Sequence, residues 1–211
     1  MIIVSAFNKG GVGKTTLAVH LAGILSSSLD RTLLIDCVDQ HDAWDFFLRQ
    51  SPMAENEVVY VCDRLSIIWN PDKRPLRQMV DLGEYDHTIL DINSPNEDTV
   101  QTIADNHPNL VLLPINDQAL GLQNLKKTLA VIAAMEQKAG YLQRNVIVPL
   151  GVYKHTIEKR LLEIEIKPDN LEVASRIRKH PAEFSKALET GHFVWEFPQC
   201  ADVKEQLTKL L

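Results

Sequence analysis

A strand running straight into a glycine-rich turn and then a helix constrains this chain more than any other feature. Met1 to Phe7 (Met-Ile-Ile-Val-Ser-Ala-Phe) is a short, nearly continuous apolar run, as in a strand buried on both faces of a parallel sheet. Asn8 to Gly13 supply the turn. From Lys14 to Ser28, Leu17, Leu21 and Leu25 recur at helical spacing with Ala18 and Ala22 beside them. The turn and helix start read Lys9-Gly10-Gly11-Val12-Gly13-Lys14-Thr15-Thr16. Glycines let backbone N–H groups turn inward around an anion, because no Cβ blocks them. The helix N-terminus adds its partial positive charge. In this strand–turn–helix context the run reads as a phosphate loop rather than a mere connector. Lys14 is expected on the β- and γ-phosphates, the Thr15 hydroxyl on Mg²⁺, and Thr16 on the α-phosphate.

The alternation continues down the chain. Thr32 to Cys37, Val58 to Cys62, Leu65 to Trp69, His87 to Asp91, Asn109 to Pro114 and Asn145 to Leu150 read as strands. Pro75 to Leu82, Gln118 to Gln137, Thr156 to Glu165 and Ala201 to Leu211 read as helices, and Leu171 to Ile177 as partly extended. The expected fold class is α/β, a mainly parallel central sheet flanked by helices, of the P-loop NTPase kind. No repeat, low-complexity tract or linker divides the chain, so residues 1–211 are read as one domain.

Composition narrows the function. The charge sum is −6, which gives no support to a broadly basic nucleic-acid binder; a DNA-binding surface would be a local patch. Three cysteines, Cys37, Cys62 and Cys200, lack metal-ligand spacing and fit a reducing cytosol. No apolar run approaches the ~20 residues of a membrane span.

Asp36 and Asp91 each close a predicted strand. Carboxylates at the carboxyl ends of parallel strands lie in the crevice where ligands bind. Three roles compete for each: metal shell, water positioning or helix capping. Their company with a phosphate loop favours the first two, with Asp91 holding Mg²⁺ through water.

The loop resembles the deviant Walker A motif of the ParA/MinD family, Lys-Gly-Gly-x-Gly-Lys-Ser/Thr. Here Asn8 stands where the usual loop begins with glycine, and Lys9 precedes Gly10-Gly11. The resemblance implies that Lys9 reaches across a homodimer to the partner's ATP, joining two subunits through two nucleotides. Tyr85 to Asp91 and Leu110 to Leu122 resemble later family segments, in the expected order. Many relatives read Leu-Leu-Ile-Asp-x-Asp-Pro-Gln where this chain reads Leu33-Leu34-Ile35-Asp36-Cys37-Val38-Asp39-Gln40. The family's water-orienting aspartate thus falls on Val38, which can neither accept a proton nor hydrogen-bond water. ATP binding with poor hydrolysis is expected unless Asp39 substitutes; Val38 is either the natural residue or a substitution that traps bound ATP.

What the family implies is an ATPase that dimerises on ATP, binds DNA without sequence preference and positions a plasmid, a chromosome or a protein organelle such as a carboxysome. A ParB-like or other cargo adaptor stimulates hydrolysis. Such a protein is cytoplasmic and nucleoid-associated. The start at Met1 leaves no room for a helix-turn-helix domain. The candidate DNA contacts are Arg176, Arg178, Lys179 and Lys186, with Lys154, Lys159 and Arg160 as neighbours; the same run also reads as an ordinary solvated face. Two alternatives stay open. A MinD-like membrane-cycling ATPase needs a basic amphipathic C-terminal helix, whereas Lys204 and Lys209 are balanced by Asp202 and Glu205. Val203, Leu207, Leu210 and Leu211 read instead as a core-facing stripe. A metabolic relative of the nitrogenase iron-protein type needs two cysteines placed to bridge an Fe–S cluster, and no suitable pair is evident. Trp44, Phe46 and Phe47 read as packing or dimer-contact residues, and none of the histidines is assigned to a metal.

Overall fold

Apolar runs too short for helices become strands, and the amphipathic segments between them cover both faces. The computed structural model describes residues 1–7, 10–92, 105–116, 122–139, 143–178 and 180–211. Its strands are β1 (Ile2–Ser5), β2 (Thr32–Asp36), β3 (Val59–Cys62), β4 (Leu65–Trp69), β5 (His87–Asp91), β6 (Leu110–Ile115), β7 (Arg144–Pro149) and β8 (Leu171–Val173). They form one sheet in the order β3-β4-β2-β5-β1-β6-β7-β8. Pairing is parallel throughout except for the edge hairpin β3–β4. The fold class is the one expected.

Period-two alternation sorts each strand's side chains between two cores. Ile3, Leu34, Ile67, Ile89, Leu112 and Val146 point to one side, against α1 (Lys14–Ser26), α2 (Asp42–Leu48), α5 (Pro181–Thr190) and α6 (Val203–Thr208). Val4, Leu33, Ile68, Leu90, Val111 and Ile147 point to the other, against α3 (Leu122–Ala139) and α4 (Lys154–Leu161). Val203, Leu207 and Leu210 are buried in the first core, so the C-terminal apolar stripe is spent on packing, as expected. Trp44 and Phe46 are buried in the same core, which makes them packing residues.

Several boundaries move. The helix expected over Pro75 to Leu82 is instead two 3₁₀ turns, Leu76–Gln78 and Leu82–Glu84. Asp81 accepts a hydrogen bond from the Gly83 N–H at 2.9 Å, a local turn that competes with helix. The helix expected over Thr156 to Glu165 runs over Lys154–Leu161, and the closing helix over Val203–Thr208 only. Two helices were not expected. In α2 the capping group comes from outside the helix: Asp36, on β2, accepts from the Trp44 N–H at 2.9 Å. In α5 the signals were local, with Pro181 in the first turn and Gly191 in the left-handed conformation after the last.

Candidate functional site

The loop after β1 meets α1 through Gly13, whose φ of 101° lies in the left-handed region. A Cβ there would lie 2.5 Å from Leu150 Cδ1, so both conformation and space demand glycine. Gly10 has no heavy atom within 4 Å of where its Cβ would be. Val12 inserts into the core and anchors the turn. Asn116, at the end of β6, donates from Nδ2 to the Gly11 carbonyl at 2.9 Å. Ser5 donates from Oγ to the Lys14 carbonyl at 3.0 Å, tying strand to helix start. The loop is thus held from three sides, open toward solvent at Gly10 and Gly11.

Lys14 is 5% exposed. Burial pushes its ammonium below the ordinary lysine range, and Asp91 works against that fall. Asp36 and Asp91 are register partners on β2 and β5, so the parallel sheet places the two carboxylates side by side at strand ends. Their surroundings differ. Asp36 accepts from the N–H groups of Val38 (3.0 Å) and Trp44 (2.9 Å). Burial raises it to about 6, and backbone donors at Trp44, Val38 and Ala43 hold it back. Of the three roles open to Asp36, helix capping is therefore the one its geometry performs. Asp91 is 0% exposed; neither carboxylate oxygen receives a backbone donor among the described residues, and the Thr15 hydroxyl is the hydrogen-bonding group that faces it. Burial and then the charge of Asp36 push it up to about 7, with Thr15 and Lys14 pulling the other way. A buried carboxylate short of donors costs free energy unless a partner arrives. A hydroxyl and a lone carboxylate beside a phosphate cradle form an all-oxygen donor set that fits Mg²⁺, a cation that keeps several waters.

Val38 is 3% exposed, and its carbonyl accepts from the Trp69 indole at 3.0 Å. Asp39 and Gln40 lie on an exposed turn. Beside the loop a cavity of about 240 Å³ is lined by Gly13, Thr16, Asn116, Leu150, Arg178 and His180, among others. Sequence reading missed Asn116, Leu150 and His180 as part of this surface, since their meeting depends on chain crossovers.

The expected basic run divides. Arg178 lines the cavity and pairs with Asp202 at 3.2 Å. Arg176 lies over the Tyr153 ring at 4.2 Å, toward the surface that carries Lys154, Lys159 and Arg160. Lys186 lies 5.6 Å over the Phe197 ring. Lys9, the signature lysine, and Lys179 lie outside the described residues.

One histidine proves structural. His20, on α1, donates from Nδ1 to the Thr16 carbonyl at 2.7 Å, and its Nε2 accepts from the Val194 N–H at 3.0 Å. It sits among Phe46, Phe184, Phe193 and Trp195. Burial lowers its pKa to about 4, so the ring is neutral at pH 7 with the proton on Nδ1. It ties the first turn of α1 to the C-terminal layer.

Comparison with known proteins agrees with this geometry. The model of the CobQ/CobB/MinD/ParA nucleotide binding domain family matches residues 3–192. No curated protein matches the chain. Among solved structures, apo McdA of Cyanothece is 19% identical at a TM-score of 0.76, covering 99% of this chain and 98% of that one. An ATP complex of Cyanothece McdA carrying an aspartate-to-alanine substitution is 17% identical at a TM-score of 0.74, covering 99% and 94%. The cell division ATPase MinD of Pyrococcus furiosus is 17% identical at 0.73, covering 99% and 95%. At such identities the likeness speaks for the fold. The matched family model, over most of the chain's length, speaks for descent: the chain belongs to the CobQ/CobB/MinD/ParA nucleotide-binding family and has its ParA/MinD-type ATPase fold.

Proposed function

We infer that this chain is a ParA-type positioning ATPase: it binds ATP with Mg²⁺, dimerises on it, holds DNA without sequence preference and releases it on hydrolysis. The observation that carries the reading is the buried Asp91 carboxylate, without a backbone donor and facing Lys14 and the Thr15 hydroxyl at the mouth of the glycine loop. Gly10 to Thr16 would cradle the phosphates with backbone N–H groups. Lys14 would neutralise the β- and γ-oxygens. Thr15 and, through water, Asp91 would hold Mg²⁺, which when bound offsets charge developing on the transferred phosphoryl group. Asp36 supports the site by fixing the turn that carries Val38. The cavity beside Gly13, with Asn116 and Arg178 on its wall, offers room for the base.

Lys9 is proposed, from the family pattern, to contact the partner's nucleotide. Dimerisation would then double a weak basic surface built on Arg176, Arg178, Lys179 and Lys186, making DNA affinity depend on ATP. A ParB-like cargo adaptor would set the timing of release. Val38 makes hydrolysis by the chain alone slow, and Asp39, exposed one residue along, is the acidic group that could take part. The test is DNA binding with ATP, with ADP and without nucleotide, across several salt concentrations. ATP-dependent, salt-sensitive binding is expected. Binding indifferent to nucleotide contradicts the reading.

A further inference from the structure

Behind one wall of the cavity beside the nucleotide loop, three donors of different chemistry converge where the start of α5 meets a late 3₁₀ turn. His180 precedes Pro181 at the helix start, Glu183 follows three residues on, and Cys200 closes the 3₁₀ turn Pro198–Cys200. A ring nitrogen of His180, the Cys200 Sγ and a Glu183 carboxylate oxygen all lie within 4.8 Å of one another. The chain has only three cysteines, and sequence spacing gave no hint of this meeting because Cys200 is far along the chain from the other two donors.

We propose that His180, Glu183 and Cys200 form a binding site for a zinc-class divalent cation, with water in the fourth position. Four observations support it. First, His180 Nε2 is sealed from solvent and has no hydrogen-bond partner among the described residues, an arrangement that wastes a donor or acceptor unless something binds it. Second, a thiolate, an imidazole and a carboxylate together suit a borderline-soft cation with tetrahedral preference, and exclude Mg²⁺. Third, Gln199 donates from Nε2 to Glu183 Oε1 at 2.9 Å, the outer hydrogen bond that orients a metal-bound carboxylate. Fourth, Cys200 is fully buried with the Glu183 carboxylate beside its thiol, so a cation that displaces the thiol proton meets compensating negative charge there. Ligand atoms around zinc sit about 3.3–3.8 Å apart, given bonds of about 2.0–2.3 Å, so the cluster closes by about 1 Å on binding. His180 and Glu183 are half-buried, leaving a way in and a place for the water. His180 also lines the cavity beside Gly13, so the cation would stiffen one wall of that cavity by clipping α5 to the 3₁₀ turn.

The test uses the full chain without nucleotide, stripped of metal, reloaded with Zn²⁺ and gel-filtered. One zinc per chain is expected. An Asp91→Asn variant, which removes the carboxylate proposed for Mg²⁺, should retain that zinc; Cys200→Ser should lose it. His180→Gln, at a half-exposed helix start, should weaken affinity at least tenfold and serves if Cys200→Ser fails to fold. Co²⁺ in the unmodified chain should give a thiolate-to-metal charge-transfer band. Absence of that band, zinc lost on gel filtration, zinc lost from Asp91→Asn, or zinc kept undiminished by His180→Gln or Cys200→Ser would each overturn the proposal.

Discussion

Single residues divide the labour of the nucleotide end. Asp36 and Asp91 look alike in the sequence, each closing a strand, yet the structure gives the first two backbone donors and the second none, setting the Thr15 hydroxyl and the Lys14 ammonium beside it instead. Asp91→Asn should therefore stabilise the metal-free chain by on the order of 1 kcal/mol while abolishing Mg²⁺-dependent nucleotide affinity; chemical denaturation and nucleotide titration measure the two effects. At Val38 the expected outcome runs the other way. Val38→Asp restores the family's water-orienting carboxylate and should speed single-turnover ATP hydrolysis by roughly 10²-fold, at some cost in stability because the site is 3% exposed. Faster cleavage by the valine form would refute that role. His20 gives a pH prediction. Its folded pKa of about 4 lies below the ordinary 6.5, so between those values the unfolded chain binds the extra proton. Its contribution is full above pH 6.5 and is lost as pH falls toward 4, at about 1.4 kcal/mol per unit. Asp36 and Asp91 act with the opposite sign over an overlapping range, so the readout is the difference in unfolding free energy between the native chain and His20→Asn. That difference should shrink on acidification; one constant with pH would contradict a buried neutral ring.

Elements were legible where the signal was local. Seven of the strands read from apolar runs reproduce to within about two residues, and in all of these but the half-exposed edge strand β3 burial on both faces writes hydrophobicity into consecutive positions. Helix α2 was illegible because its cap comes from β2: His41 occupies the N-cap with no side-chain capping bond, and Asp36 closes the helix from the strand. Helix α5 carries local signals, Pro181 in its first turn and Gly191 after its last, within a segment whose charges dominate its composition. The phosphate loop was legible because its geometry needs specific residues at fixed spacing. The cavity wall was not, since Asn116, Leu150 and His180 meet only after the crossovers are made. Helix α1 illustrates how tightly the elements fit. A Cβ on Gly23 would lie 2.2 Å from Phe193 Cε1, and that ring is stacked on Trp195 at 4.7 Å. Gly23→Ala should cost about 1–3 kcal/mol by overpacking, outweighing alanine's better helix propensity, and thermal unfolding would show the fall.

At the scale of the whole molecule, the acidic body and the divided basic run set the terms. With a formal charge of −6, part of the basic surface is already matched by carboxylates among the described residues: Arg178 faces Asp202, Lys154 faces Glu158 and Arg160 faces Glu163, whereas Arg176 and Lys186 lie over aromatic rings. Exposed pairs of this kind are weak and exchangeable, so phosphate contacts remain open to them, and in the proposed cycle avidity from two copies would raise their affinity for DNA. The proposed cycle depends on ATP-dependent pairing of two chains through Lys9. The most direct test is light-scattering mass of the chain and of Lys9→Ala with ATP and with ADP, alongside their ATP affinities. A dimer with ATP, a monomer with ADP, and a Lys9→Ala chain that binds ATP yet stays monomeric is the result predicted. A mass that ignores nucleotide, or a Lys9→Ala chain that dimerises as the parent does, would contradict it.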